Sequence, residues 1–163
     1  HWHIKYLDNP VKALIYAQQL HSLFPSNYFF SVKYLEAAYR TENKILAKQL
    51  IGKIQKSKHP FYNFCADAIA GVINTEKSSY ESAKKQLSPL MQQGSLLPFE
   101  TQDYLCYMYL HLGKLASKEQ LWEEANYWYL KVSKEAEYSH FKKESTFYLS
   151  KQNQKSLKNS SNP

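Results

Sequence analysis

A recurring spacing of alanine and larger apolar residues restricts this chain to one kind of fold. The pattern is an alanine, an apolar residue four positions later, and another apolar residue three positions after that. The intervals between successive leading alanines are 34, 36 and 42 residues. Offsets of four and seven residues place all three side chains on one face of an α-helix, and this period predicts an array of helix pairs. The four sets are Ala13, Ala17 and Leu20; Ala47, Ile51 and Ile54; Ala83, Leu87 and Leu90; and Ala125, Tyr129 and Val132.

A second helix is predicted upstream of each alanine-led helix. The positions twelve residues before the leading alanines are His1, Leu35, Gly71 and Gly113. The chain has only 4 glycines, and a glycine inside a helix costs about 1 kcal/mol relative to alanine. Close contact with the paired helix would explain why Gly71 and Gly113 stand there. With 6 prolines and so few glycines, the chain also lacks the frequent turn residues of a β-rich fold.

Capping residues predict where several helices begin. Ser78 with Glu81, and Ser117 with Gln120, have the spacing of a capping box, in which each side chain satisfies a free backbone N–H group at a helix start. The segment 92–98 contains glycine, serine and proline and is predicted to be the longest connection. The helices that these and similar signals predict cover residues 28–40, 79–91, 121–136 and 140–150.

The period and the residues at these positions resemble the tetratricopeptide repeat, whose unit of about 34 residues folds as a helix, a turn and a second helix. The resemblance covers about Asp8 to Ser133, with degenerate repeats. It implies an all-α fold of about seven helices, arranged as antiparallel pairs that stack into a right-handed α-solenoid. The fourth unit matches best, through Tyr109, Leu112, Gly113, Ala116, Ala125, Tyr129 and Val132.

The repeat predicts one helical domain over residues 1–150. Residues 151–163 contain Leu157 as their one apolar residue, so we predict that they form a disordered basic tail. Because His1–Leu7 looks like the second half of a helix, we expect the chain to be a fragment of a longer bacterial protein of this family. The predicted units are about 1–26, 27–60, 61–97 and 98–137, followed by a capping helix over 140–150 that covers the exposed end of the array.

Positive charge is concentrated at one end of the chain. The formal net charge is +7, to which residues 1–60 contribute +6, residues 61–150 contribute −2 and the tail +3. Such an excess favours an acidic partner or nucleic acid, although we rank a solvated lysine-rich surface first. Aromatic and basic side chains also interleave over 29–40, as in sites for single-stranded nucleic acid. The rings recur at helical spacing, so packing in the core explains them better.

No arrangement of reactive side chains predicts an enzyme. Cys106 and His111 are five residues apart, about 140° around a helix, so they do not combine with Cys65 as a nucleophile or a zinc site. Glu123 and Glu124 are adjacent and diverge on a helix, where they suit the positive end of the helix dipole. We therefore predict no catalytic residue and no cofactor.

We also predict no metal site and no membrane-spanning helix. His1 and His3 have no further ligand close in the sequence, so a helix end explains them better than a metal does. No run of about 18 apolar residues occurs, which argues against a transmembrane segment. We expect a soluble protein. Its 2 cysteines assign no compartment, and the truncated look of the N-terminus leaves both the cytoplasm and the periplasm open.

The resemblance also implies where a partner binds. Stacked units of this family form a concave groove lined by the first helix of each pair. Val32 and Glu36 stand where some members carry the residues that clamp a terminal carboxylate, so binding of that kind is disfavoured. The positions that we predict to line the groove are Phe29, Val32, Glu36, Tyr39, Cys65, Ala68, Val72, Tyr107, Leu110, Lys114 and Ser117.

These features predict a non-catalytic scaffold that binds a peptide or a partner helix in its groove. Two alternatives remain open. One is a nucleic-acid-associated helical repeat that uses the basic first third of the chain, and we rank nucleic acid below protein as a partner. The other is a structural arm of a larger multidomain protein. A second copy of the chain is also among the candidate partners.

Overall fold

The computed structural model of the chain describes residues 9–97, 101–136 and 139–159. Within these residues the backbone forms eight α-helices and no strand, which confirms the all-α class and gives one helix more than expected. None of these helices is long and apolar enough to cross a bilayer. In chain order they are α1 Pro10–Leu23, α2 Tyr28–Arg40, α3 Lys44–Ile54, α4 Pro60–Asn74, α5 Tyr80–Ser95, α6 Gln102–Lys118, α7 Trp122–Glu135 and α8 Ser139–Asn159.

Short polar side chains begin four of the helices. The side chains of Asn9, Asn27 and Asn43 each accept a hydrogen bond from a backbone N–H group in the first turn of the helix that follows. At α5 the cap is Ser79, and the predicted cap Ser78 precedes it by one position. Because both residues are serines, the sequence does not distinguish them, and the backbone conformation before the helix determines which one is the cap.

The predicted capping box at Ser117 and Gln120 is wrong. Ser117 lies inside α6, and α7 begins without any side-chain cap. Instead Gln120 adopts a left-handed conformation with a φ of 62°, and the next N–H group donates to the carbonyl of Ala116 at 2.9 Å. The turn from α2 to α3 has the same form, with a φ of 59° at Glu42. Backbone bonds close both turns. The turn before α3 also carries the side-chain cap Asn43, whereas the turn at Gln120 leaves no capping signature in the sequence.

Two helices are longer than the sequence predicts. α5 continues through Pro89 to Ser95 and so replaces part of the connection predicted over 92–98. α8 continues to Asn159, well beyond the capping helix predicted over 140–150 and into the segment predicted as disordered. That prediction rested on the scarcity of apolar residues. Helix formation also depends on intrinsic propensity, and this stretch contains lysine and glutamine but neither glycine nor proline.

Three predictions concern residues outside the described part of the chain. They are the half helix at His1–Leu7, the histidines His1 and His3, and the last residue of the connection over 92–98. They therefore stay predictions.

The two repeat glycines Gly71 and Gly113 lie against the paired helix, as predicted. A Cβ atom added to Gly113 would lie 2.6 Å from Cε1 of Tyr129, and one added to Gly71 would lie 2.7 Å from Cδ2 of Leu87. Tyr129 and Leu87 both occupy the second position of the repeated pattern. The third glycine in a helical contact, Gly94 of α5, faces Phe64 of α4. Because Gly71 meets Leu87 while Phe64 meets Gly94, α4 and α5 run in opposite directions.

The helices are arranged in a regular order. Each helix packs against the next one in the chain, and α4 additionally contacts α2 on one side and α6 on the other. Tyr107 of α6 meets Phe141 of α8, with 4.8 Å between the ring centroids, and Lys114 forms an ion pair of 2.6 Å with Glu144. These two contacts show that α6 and α8 run in the same direction. The helices α2, α4 and α6 thus form one layer, which carries the predicted groove residues.

The contact at Gly113 leads to a stability prediction. Tyr129 is fully buried and stacks on Tyr148 at a centroid distance of 5.1 Å, so it has little room to move. We expect Gly113→Ala to lower the free energy of unfolding by about 1–3 kcal/mol, measured by urea denaturation. The control is Gly52→Ala in α3, where an added Cβ meets nothing within 4 Å and a gain of up to about 1 kcal/mol is expected. Equal effects of the two substitutions would contradict the assigned packing.

Candidate interaction surface

Most of the predicted groove residues lie in the interior. Of the remainder, Tyr39 and Ser117 are half-buried, Lys114 is exposed and Phe29 is 37% exposed. A partner that met the folded chain would therefore touch only a few of these positions. The buried ones, each at most 6% exposed, are Val32, Glu36, Cys65, Ala68, Val72, Tyr107 and Leu110.

Small side chains on α4 explain this burial. Cys65, Ala68 and Val72 occupy little volume, so larger side chains of α2 and α6 reach each other across the middle helix of the layer. The rings of Tyr39 and Tyr107 meet edge to face, with 5.2 Å between their centroids and an angle of 90° between their planes. Side chains of the chain itself thus occupy the centre of the predicted groove.

The carboxylate of Glu36 links the same helices by hydrogen bonds. It accepts from the hydroxyls of Tyr104 at 3.4 Å and Tyr107 at 3.2 Å, and from Nζ of Lys33 at 3.1 Å. Burial alone would raise the pKa of Glu36, but the Lys33 ammonium, with Arg40 nearby, holds that pKa below its ordinary value. The carboxylate is therefore ionised at neutral pH, and groups of the chain itself satisfy it.

The two cysteines and His111 are buried. Burial raises the pKa of the Cys65 and Cys106 thiols, so both stay protonated at neutral pH and are poor nucleophiles. Nε2 of His111 lies 2.9 Å from Oγ1 of Thr75, which joins α6 to the end of α4. Within the described ranges no three histidine, cysteine, aspartate or glutamate side chains are placed to hold a metal ion together.

The adjacent acids Glu123 and Glu124 lie in the first turn of α7. Glu124 accepts a hydrogen bond from the hydroxyl of Tyr80 and lies 3.7 Å from Nζ of Lys84. Nε1 of Trp128 donates to the same tyrosine oxygen at 3.0 Å. These contacts join α5 to α7, so Glu124 has a packing role that its position in the sequence does not indicate.

Exposed and half-buried aromatic rings cluster at the end of the layer where α2 and α4 begin. The ring of Phe30 contacts those of Phe24 and Phe29 at centroid distances of 5.5 and 5.7 Å. Beside them, the ring of Tyr62 contacts those of Tyr28 at 6.0 Å and His59 at 4.8 Å. A shallow depression lined by residues of both groups joins them. We call this surface the rim patch, and it consists of Phe24, Tyr28, Phe29, Phe30, His59 and Tyr62.

The residues of the rim patch lie at or next to the first turns of α2 and α4. Asn27 caps α2, and Pro60 occupies the first turn of α4, where its missing N–H group costs nothing. Nζ of Lys53 donates to the carbonyl of Pro25 at 2.9 Å and so ties α3 to the turn that carries Phe24. The predicted groove residues include only Phe29 from this surface. The signal that sequence reasoning missed is the clustering of rings at two helix starts, which the fold brings together.

Lysines surround the rim patch. Nζ of Lys33 lies 6.0 Å from the centroid of the Phe29 ring, and Lys53 reaches the turn at Pro25. Lys56 and Lys58 are exposed in the connection that leads to His59. The segment 43–66 contains five lysines and no acidic residue. Because Lys33 is paired with Glu36 and Lys44 with Glu76, the positive charge beside the rings comes from Lys53, Lys56 and Lys58.

No protein-family model, curated protein or solved structure matches the chain.

The buried imidazole of His111 leads to a pH prediction. Burial, with Lys114 nearby, lowers the pKa of His111 below its ordinary value. In the unfolded chain the same group takes up a proton below about pH 6.5. The unfolded state therefore binds more protons in this window, and the stability present above pH 6.5 is lost as the pH falls towards the folded pKa.

We expect urea denaturation at a series of pH values to show this loss, and His111→Gln to remove part of it. Gln86→Asn, at an exposed position without a titrating group, is the control and should leave the pH dependence unchanged. A wild-type profile that is flat from pH 7 down to about pH 5 would contradict the predicted protonation behaviour of His111.

Proposed function

We propose that the chain is a non-catalytic protein-binding module, built from tetratricopeptide-like repeats, that contacts its partner through the rim patch. Support for the repeat comes from the layer of α2, α4 and α6, in which α4 contacts both neighbours. Further support comes from Tyr107 and Phe141, which stand 34 residues apart and meet side by side on α6 and α8. Gly71 and Gly113 face equivalent residues of their paired helices.

Exposure of large rings carries the functional proposal. Phe24 is 51% exposed and Phe29 is 37% exposed, and both contact Phe30 within one continuous surface. Contiguous apolar surface on a well-packed protein usually marks a contact site, and aromatic residues dominate the binding energy of such sites. The centre of the predicted groove is occupied by Glu36 and Tyr107, so we place binding at the end of the helix layer.

The second candidate function is association with nucleic acid. It is favoured by the five lysines of segment 43–66, since basic surfaces attract phosphate. It ranks second because bases need ring faces on which to stack. In the rim patch the faces of Tyr28 and Tyr62 are turned towards each other, with 27° between their planes.

Displayed random peptides provide a test of the protein-binding function. We expect selection against the purified chain to enrich peptides that bind the wild type, and the double variant Phe24→Ser with Phe29→Ser to lose at least about tenfold in affinity for them. Both positions are exposed, so the melting temperature should change little. The measurements are fluorescence anisotropy for binding and circular dichroism for folding.

The matched control removes two exposed apolar side chains elsewhere. Tyr127 and Leu130 on α7 are 54% and 48% exposed, and their replacement by serine should leave peptide binding unchanged. Enriched peptides that bind the rim variant as well as the wild type would place the site elsewhere. A selection that enriches nothing above a blank surface would contradict the protein-binding function itself.

A further inference from the structure

The charge and shape of the rim patch define the kind of partner that fits it. We infer that it binds an acidic protein segment that inserts an apolar side chain between the rings while its carboxylates face the surrounding lysines. This inference rests on the proposed function, because it takes the rim patch to be a protein-binding surface. It goes further by assigning the partner's chemistry.

Charge complementarity is the first argument. Lys56 and Lys58 are exposed beside His59, and Lys53 holds the turn before Tyr28. Acids contact segment 43–66 at Lys44, through Glu76, and at Gln55, through Asp67. On the α2 side, Glu36 is buried and paired with Lys33, so these two charges compensate each other. A positively charged surface of this kind speeds encounter with an acidic partner and disfavours a basic one.

The start of α4 adds to this positive charge. Its N-cap residue, His59, makes no side-chain hydrogen bond to the first turn, whereas Asn27 does so at the start of α2. Pro60 has no N–H group and that of Asn63 donates to the carbonyl of His59, so the two N–H groups between them are the ones without a helix partner, where the dipole also places partial positive charge. A carboxylate of an acidic segment that lies beside His59 can accept from these groups. The lysines supply the long-range attraction, and the helix start supplies a directional contact.

The geometry of the rings favours an inserted side chain over a stacked base. Tyr62 contacts Tyr28 on one side and His59 on the other, at centroid distances of 6.0 and 4.8 Å. Phe29 meets Phe30 edge to face, with 66° between the ring planes. The faces of Tyr28 and Tyr62 are therefore turned towards each other and not towards solvent. The shallow depression between Phe24 and Tyr62, which Pro25, Ser26 and Asn27 also line, offers ring surface against which an apolar side chain such as leucine, phenylalanine or proline can pack.

Synthetic peptides of defined composition test the inference on the full chain. The first fluorescent probe is a short peptide with one phenylalanine and one proline set between runs of aspartate and glutamate. The second keeps the two apolar residues and replaces every acid by serine. The third keeps the acids and replaces the apolar residues by serine, and the fourth is single-stranded oligothymidylate. Binding of each is followed by fluorescence anisotropy from low salt to about 0.15 M salt.

Two double variants separate the contributions of charge and apolar contact. Lys56→Glu with Lys58→Glu should weaken binding of the first peptide by about tenfold, because attraction at two exposed positions becomes repulsion. Lys85→Glu with Lys142→Glu makes the same change of net charge at exposed positions on α5 and α8 and should have little effect. Circular dichroism of each variant confirms that it is folded.

The first peptide should bind most tightly, and the second and the third should each bind at least about tenfold more weakly. In the double variant Phe24→Ser with Phe29→Ser, the first peptide should bind no more tightly than the third. Equal binding of the first and second peptides would overturn the inference while leaving the protein-binding function intact. Tight binding of the oligonucleotide at about 0.15 M salt, with no peptide bound, would overturn both.

Discussion

The buried carboxylate of Glu36 joins α2 to α6 across α4, and this contact fills the centre of the helix layer. Two tyrosine hydroxyls of α6 and the Lys33 ammonium satisfy it, and a buried charge without such partners would be costly. Its bonds cross above α4, where small side chains such as Ala68 leave room. The ring contact between Tyr39 and Tyr107 spans the same gap. The surface that a stack of helix pairs would offer as an open groove is therefore filled at its centre by the chain itself.

The packing within helix pairs could be predicted from the sequence, whereas the contacts between α2 and α6 across α4 could not. Gly71 and Gly113 have a fixed offset from the alanine-led pattern, so their contacts with Leu87 and Tyr129 follow from the period. Glu36 lies 68 residues before Tyr104, and no period relates a carboxylate to a hydroxyl. The turn at Gln120 was missed because backbone hydrogen bonds close it. A periodic sequence pattern predicts contacts between helices that follow each other in the chain. It does not predict contacts between α2 and α6, whose side chains meet across α4.

Because side chains of the chain itself fill the centre of the layer, a partner can reach only the ends of the helices. Phe29 begins the α2 stripe that we predicted to line the groove, and it is the one large apolar member of that stripe that stays exposed. Around it, the starts of α2 and α4 supply further rings and lysines. The proposed binding surface is thus the rim of the predicted groove, and its positive charge suits an acidic partner.

A double-mutant cycle on Glu36→Gln and Tyr107→Phe tests most directly whether α2 and α6 are joined across α4. Each variant weakens the hydrogen bond between these side chains, and urea denaturation gives the free energy of unfolding of both singles and the double. If the carboxylate and the hydroxyl interact across α4, the cycle should yield a coupling energy of about 0.5–3 kcal/mol. Additive effects within about 0.3 kcal/mol would contradict that contact, and with it the filled centre of the groove.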